Sequence, residues 1–90
     1  MKPTRWSLHA LQNLESRDID RGEAQKTLTD PELVVSALPS RQVLMRRYFD
    51  IILNQEMLIR LVVEETPEGL VVITAYKTSQ VGKYLKGLKS

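Results

Sequence analysis

The chain has 90 residues, with 13 lysines and arginines against 11 acidic residues and a net charge of +2 at pH 7. A chain of this length builds one small core, so we expect a single domain over 1–90. It contains no cysteine, which excludes a disulfide framework, a thiolate metal site and a cysteine nucleophile. No apolar run is long enough for a signal peptide or a membrane span, so the sequence predicts a cytoplasmic protein without membrane contact.

Two helices are predicted in the first third of the chain. Leucines at three-residue spacing indicate a helix over about 7–17, with Ser7 as its N-cap. Asp20 is followed three residues later by Glu23, which is the pattern of a capping box and predicts a second helix over about 21–29. His9 falls in the first turn of the first helix, on its polar side.

Four strands are predicted in the rest of the chain, over about 33–37, 42–53, 57–66 and 70–77. The turn between the last two is the clearest local signal, because residues 66–69 read Thr-Pro-Glu-Gly. Proline favours the first bend of such a turn and glycine its left-handed end, which predicts a three-residue loop over 67–69.

The predicted turns set the register of both hairpins. In the last hairpin, the loop over 67–69 places Arg60 opposite Tyr76, with Val62 opposite Thr74 and Glu64 opposite Val72. A three-residue loop over 54–56 would place Asp50 opposite Arg60 and Arg46 opposite Glu64, which are two favourable charge pairs. Arg47 then falls on the otherwise apolar face of its strand, and the pattern offers no partner for it.

A short helix over about 80–88 completes the predicted fold, which is of the α+β class. Two N-terminal helices pack on the apolar face of a three- to four-stranded antiparallel meander. The other sheet face carries many aliphatic side chains that need cover. A partner protein, a second copy of the chain in a homodimer, or the terminal helix would supply it.

The residues that remain for chemistry are one histidine, a polar strip on the predicted sheet and a basic end of the chain. With one histidine and no cysteine we expect no metal site, and without a glycine-rich phosphate loop we expect no cofactor. No acidic residue follows Glu68, whereas lysines recur after it, which gives that end the charge to contact phosphate. Two interpretations stay open: ordinary surface and packing residues, or a phosphate-contacting site. The candidates are His9, Arg60, Thr74, Tyr76, Lys77, Lys83, Tyr84 and Lys86.

Several short motifs occur in an order and spacing that span nearly the whole chain. They are His9-Ala10, Arg17, Ile19, Leu28-x-x-Pro31, Arg60-Leu61-Val62-Val63, Val72-Ile73-Thr74-Ala75-Tyr76 and Lys83-Tyr84. In this pattern the chain resembles a small bacterial domain family of unknown function. That family is grouped with RelE-like toxins in the barnase, EndoU, colicin and RelE superfamily of metal-independent ribonucleases.

The resemblance implies a RelE-like fold, an RNA substrate, pairing with an antitoxin protein and catalysis without a metal. It also implies a set of catalytic residues. Among them His9 suits the role of acid or base, because imidazole exchanges protons near neutral pH. The basic end of the chain, with Lys77 and Lys86, would add contacts to the substrate. The function expected is therefore a toxin-type endoribonuclease. A non-catalytic protein-binding module and a RelE-fold inhibitor of another enzyme are the alternatives. The catalytic set transferred from the family is His9, Arg60, Thr74, Tyr76, Lys83 and Tyr84.

Overall fold

The computed structural model describes residues 3–85 as an α+β fold in which short helices pack on a mixed sheet. The elements are β1 (Thr4–Trp6), α1 (Leu8–Ser16), α2 (Arg21–Thr29), β2 (Leu33–Leu38), β3 (Arg41–Asp50), β4 (Gln55–Thr66), β5 (Gly69–Thr78) and α3 (Val81–Leu85). The sheet order is β1-β5-β4-β3-β2; β1 pairs with β5 in parallel, and the other neighbours are antiparallel. Among the described residues, no helix is long and apolar enough to cross a bilayer.

Both N-terminal helices begin where the capping signals predict. The Ala10 N–H donates to Ser7 Oγ at 3.0 Å, and the Glu23 N–H donates to Asp20 Oδ2 at 2.9 Å. These bonds satisfy backbone donors that have no partner inside the helix. Between the helices, Asp18 adopts a left-handed backbone conformation with φ of 52°, which reverses the chain in a short turn.

The hairpin of β4 and β5 is present, but its loop has two residues, 67–68, instead of the predicted three. Gly69 therefore pairs with Thr66, and the predicted pairing of Glu64 with Val72 is wrong. Ile73 forms a bulge that restores the predicted register farther along, where Val62 lies opposite Thr74 and Arg60 opposite Tyr76.

Gly69 has the positive φ that the turn prediction required, and it also meets a close neighbour that the sequence did not indicate. Its φ is 143°, outside the left-handed helical region, and a Cβ added there would collide with the Pro3 carbonyl of the neighbouring chain segment. The Leu70 N–H donates to that same carbonyl at 2.9 Å. Glycine is required for two reasons: a positive φ strains any residue with a side chain, and Pro3, just before β1, lies too close for a Cβ.

The predicted register between β3 and β4 is wrong by five positions. Asp50 ends β3 and faces Gln55, while Arg46 lies opposite Ile59. The charge pairs predicted from the three-residue loop therefore do not form. The cause is local, since the backbone N–H groups of residues 52 and 53 both donate to Asp50 Oδ1 at 3.0 Å and turn the chain directly after Asp50.

An odd shift in register also exchanges the two faces of β3. Leu44 and Tyr48 lie on the side of the N-terminal helices, in one apolar cluster with Ile59 and Leu61. Val43 and Met45 alternate with Arg47 on the face that was predicted to meet the helices, but they lie on the opposite face, with Leu58 and with Leu85 of α3. Thus α3 covers part of the face that was expected to need cover.

The predicted meander lacked the edge strand β1, which makes the sheet mixed and five-stranded. Only three residues form β1, and their partner strand lies more than sixty residues later, so no local pattern marks them. The Ser7 N–H continues the pairing by donating to the Val72 carbonyl at 3.0 Å. The terminal helix α3 is described as far as Leu85, and the rest of the predicted span, 86–88, lies outside the described residues.

Arg47, which had no predicted partner, is held by Glu32. Its Nε and Nη2 donate to the Glu32 carboxylate, with the Nη2 bond at 2.8 Å, and its backbone N–H donates to the same group at 2.7 Å. These bonds lower the pKa of Glu32, chiefly through the Arg47 side chain. The ion pair connects Glu32, the residue before β2, to β3. It explains why β3 carries an arginine among apolar side chains.

Candidate functional site

Arg60 is the centre of a cluster of cationic and aromatic side chains on the α3 side of the sheet. Its partner across the strands is Tyr76 of β5, whose hydroxyl accepts a hydrogen bond from Arg60 Nη1. The guanidinium carbon lies 5.0 Å from the centre of the Tyr76 ring. The hairpin register therefore places the arginine and the phenol side by side.

The second tyrosine of the cluster comes from α3. The guanidinium carbon of Arg60 lies 4.0 Å from the centre of the Tyr84 ring, a stacking distance at which a cation is attracted to the aromatic face. Val81 and Tyr84 pack on the apolar cluster that includes Leu58 and Leu85, and this packing fixes the helix over the sheet. Arg60 is thus held between two tyrosines from different elements.

Lys83 adds a second cation. Its side chain is exposed, and Nζ lies 5.5 Å from the centre of the Tyr84 ring. Within residues 3–85, neither Lys83 nor Arg60 forms an ion pair with a carboxylate, and the buried Nε of Arg60 has no hydrogen-bond partner. The cluster therefore keeps a net positive charge. We call Arg60, Tyr76, Lys83 and Tyr84 the arginine cluster.

Thr74 and His9 are connected with the edge of β5 and not, by any described contact, with the arginine cluster. The Thr74 hydroxyl donates to Asn13 Oδ1 at 2.7 Å, and the Ala75 N–H donates to the same oxygen at 3.1 Å. Arg17 Nη1 donates to the Ala75 carbonyl at 2.8 Å. Side chains from α1 and from Arg17, the residue directly after it, thus bind the edge of β5 where β1 has ended.

His9 lies one helical turn before Asn13 on α1, and its side chain is exposed. Among the described residues it forms no hydrogen bond, ion pair or ring contact. The imidazole is consequently available to a ligand, close to the helix residue that anchors Thr74. Lys86, a further candidate, lies outside the described residues.

Lys77 is engaged elsewhere, in a buried polar network that the sequence did not indicate. Its Nζ donates to Asp50 Oδ2 at 3.0 Å and to the Asp18 carbonyl at 2.7 Å, and its side chain is only 13% exposed. The Tyr48 hydroxyl donates to the same Asp50 oxygen at 2.9 Å. We call Tyr48, Asp50 and Lys77 the aspartate network.

The network shifts the ionisation of its members. The pKa of Asp50 is lowered to about 2, first by the Leu53 N–H that binds the carboxylate and next by Lys77. The pKa of Tyr48 is raised, mainly because the phenol is buried and further because Asp50 accepts its proton in a hydrogen bond. The charged carboxylate and the neutral phenol are the favoured forms.

A cleft of about 520 Å³ lies beside this network, between the turn of α1 and α2 and the loop after β3. Its lining includes Ile19, Asp20, Glu23, Phe49 and Ile52. Within residues 3–85 no group of three or more acidic or histidine side chains is arranged to hold a metal ion.

The fold and the arginine cluster define a small α+β protein with an arginine held between tyrosines on one sheet face. The chain belongs to the family of domains of unknown function DUF4258, whose model matches residues 6–77. The matched span contains His9, Arg60 and Tyr76, whereas Lys83 and Tyr84 on α3 follow it. No curated protein and no solved structure matches the chain.

Proposed function

We propose that this protein is a metal-independent endoribonuclease of the toxin type, and that the arginine cluster binds the RNA backbone at the point of cleavage. The observation that carries the proposal is the Arg60 guanidinium, positioned by Tyr76 and Tyr84 and without a carboxylate partner among residues 3–85. A cation held by aromatic rings keeps its full charge for an anion. A RelE-like fold and an antitoxin partner belong to the same proposal.

The proposed substrate is single-stranded RNA. Sheet faces that bind single strands combine aromatic rings, on which bases stack, with cations that contact phosphates. The arginine cluster has both, since the Tyr84 ring lies beside the exposed Lys83. Duplex RNA would present its bases in a groove that such a face cannot enter.

Cleavage without a metal needs three contributions from the protein. A base removes the proton of the 2′-hydroxyl, and the freed oxygen attacks the neighbouring phosphorus. Cations stabilise the extra negative charge of the phosphorane, and an acid protonates the 5′-oxygen as its bond to phosphorus breaks. In this scheme Arg60 and Lys83 stabilise the phosphorane, and the products carry a 2′,3′-cyclic phosphate and a 5′-hydroxyl.

His9 is the proposed acid or base, because imidazole exchanges protons near neutral pH. Its support is an exposed side chain on the helix that Asn13 joins to Thr74, two residues before Tyr76 on β5. RNA that crosses the edge of β5 at Thr74 would contact both His9 and the arginine cluster. Thr74 then positions α1 against the strand and acts on the substrate only indirectly.

The test uses purified protein, a labelled single-stranded RNA and a chelator. We expect cleavage of the RNA, no cleavage of the matching DNA because it lacks the 2′-hydroxyl, and loss of cleavage in the His9→Ala variant with RNA binding retained. The Lys26→Gln variant, which removes an exposed lysine on α2, is the matched control for Lys83→Gln. A folded protein that binds RNA equally well after Arg60→Gln and Lys83→Gln, or that cuts none, contradicts the proposal and favours a protein-binding module.

A further inference from the structure

The end of β3 and the loop that joins it to β4 carry exposed apolar side chains. Phe49 is 58% exposed, Ile51 and Ile52 are each 84% exposed, and Leu53 is 48% exposed. Single exposed apolar side chains are common on protein surfaces, but three of these four, Phe49, Ile51 and Ile52, line the same cleft and so share one surface. We call these four residues the apolar tip.

The aspartate network holds the apolar tip in one shape. Asp50 Oδ1 accepts from the N–H groups of Ile52 and Leu53, each at 3.0 Å, while its other oxygen is bound by Tyr48 and Lys77. Asn54 closes the loop in a left-handed conformation with φ of 54°. A loop that is already ordered loses little conformational entropy when a ligand binds. The bonds to Asp50 therefore favour binding at the apolar tip.

The cleft beside the apolar tip is acidic. Glu15, Asp18, Asp20 and Glu23 line it, and no lysine or arginine does. Two of these carboxylates already bind other groups of the chain: Asp20 caps α2, and Glu23 forms an ion pair with Arg46 at 2.7 Å. The carboxylates of Glu15 and Asp18 have no partner in the described part of the chain.

We propose that the apolar tip and this acidic cleft bind a basic amphipathic segment of another protein. Apolar side chains of the segment would cover Ile51 and Ile52, and its lysines or arginines would pair with Glu15 and Asp18. Charge complementarity selects this occupant. An anionic membrane would be repelled by the carboxylates, and a two-fold contact between two copies of the tip would bring like charges together.

This surface is separate from the proposed RNA site. Tyr48 belongs to the apolar cluster on the side of the N-terminal helices, whereas Tyr84 packs with the cluster on the opposite sheet face. A bound segment would therefore leave Arg60 accessible. Binding of the segment does not depend on ribonuclease activity, and it would be observed equally in a protein that cleaves no RNA.

The experiment measures binding of a labelled, helix-forming peptide of leucine and lysine, ~18 residues or five helical turns long. A peptide of the same pattern with glutamate in place of lysine tests the charge requirement. The variants are Ile51→Ser with Ile52→Ser, and Glu15→Gln with Asp18→Asn, all at exposed positions that leave the core intact. Val34→Ser with Val35→Ser, at the 47% and 41% exposed valines of the edge strand β2, is the matched control.

We expect the lysine peptide to bind the parent and the control variant equally, and each tip or cleft variant about tenfold more weakly, or worse. The glutamate peptide should not bind. Equal binding of both peptides, or binding unaffected by the variants, overturns the proposal. Two further results would overturn it. One is that the protein binds phosphatidylcholine or phosphatidylserine vesicles through Ile51 and Ile52 in preference to the peptide. The other is that sedimentation shows self-association through these isoleucines in preference to peptide binding.

Discussion

Arg60 and Lys77 are cations on neighbouring strands, and they differ in the groups that surround them. Lys77 is paired with a carboxylate at 3.0 Å and is nearly buried, so its charge is neutralised within the protein. Arg60 is held by two aromatic rings and by a phenol hydroxyl, none of which carries a compensating charge. A cation that is paired with a carboxylate contributes to the stability of the fold, whereas a cation that is held by aromatic rings keeps a charge that a ligand can use.

The largest expected effect is on RNA cleavage by the Arg60→Gln variant. Loss of a cation that stabilises a phosphorane lowers kcat/KM by about a hundredfold or more. The Lys26→Gln variant should cleave like the parent. Cleavage rates are compared at equal concentrations of folded protein, with circular dichroism as the check on folding. A loss of less than about twofold would remove Arg60 from the site.

The next effect is on stability and concerns Lys77. The Lys77→Gln variant leaves the Asp50 carboxylate without its ammonium partner in a site where it is 7% exposed, which should destabilise the protein by ~3 kcal/mol. Arg60→Gln breaks no carboxylate pair and should cost clearly less. Urea denaturation midpoints measure both. Equal losses of stability in the two variants would contradict the distinction between a paired and an unpaired cation.

A smaller effect is the acid sensitivity that Asp50 confers. Its pKa is about 2 in the folded protein against an ordinary value of 3.8, so the unfolded chain binds the proton more tightly. The contribution of Asp50 to stability is therefore complete above pH 4 and is lost as the pH falls through 2.

Replacing Asp50 by Asn should flatten the dependence of unfolding free energy on pH between these two values. Glu32, whose pKa is also lowered, contributes its own acid sensitivity, so Glu32→Gln provides the comparison. A pH dependence in the Asp50→Asn variant as steep as in the parent would show that the network does not depend on the charged carboxylate.

The smallest predicted effect comes from Tyr76→Phe. The ring that contacts Arg60 is retained, and only the hydroxyl that accepts from Nη1 is removed. We expect RNA cleavage to fall by about fivefold or less, as for the loss of one hydrogen bond. Tyr84→Leu removes a ring from the guanidinium and should reduce cleavage further. If Tyr76→Phe were the more damaging change, the phenol would have a chemical role and not only a positional one.

The candidate site was predictable in part. The predicted pairing of Arg60 with Tyr76 is present, but it is correct because the bulge at Ile73 offsets a loop that is one residue shorter than predicted. Lys83 and Tyr84 were candidates, but only the packing of α3 shows that Tyr84 lies against Arg60. The network of Asp50 and Lys77 was missed, since these residues are far apart in sequence and the predicted register paired Asp50 with Arg60.

By itself the sequence determined the elements that depend on neighbouring residues. The N-cap of α1 at Ser7, the N-cap of α2 at Asp20 and the position, though not the length, of the turn between β4 and β5 each depend on bonds within three residues. The partners of these bonds lie close together in sequence, so a local pattern reveals them.

Only the tertiary structure decided which segments pair across long separations. In the structure β1 pairs with the start of β5, and the register of β3 against β4 differs by five positions from the predicted one. Asp50 forms its ion pair with Lys77 instead of the predicted Arg60. The physical reason is that charge pairing and apolar burial depend on distance in space, and several registers satisfy the same alternating pattern. The register of β3 against β4 is the exception, because the turn that sets it is local: the N–H groups of Ile52 and Leu53 donate to Asp50 Oδ1 and end β3.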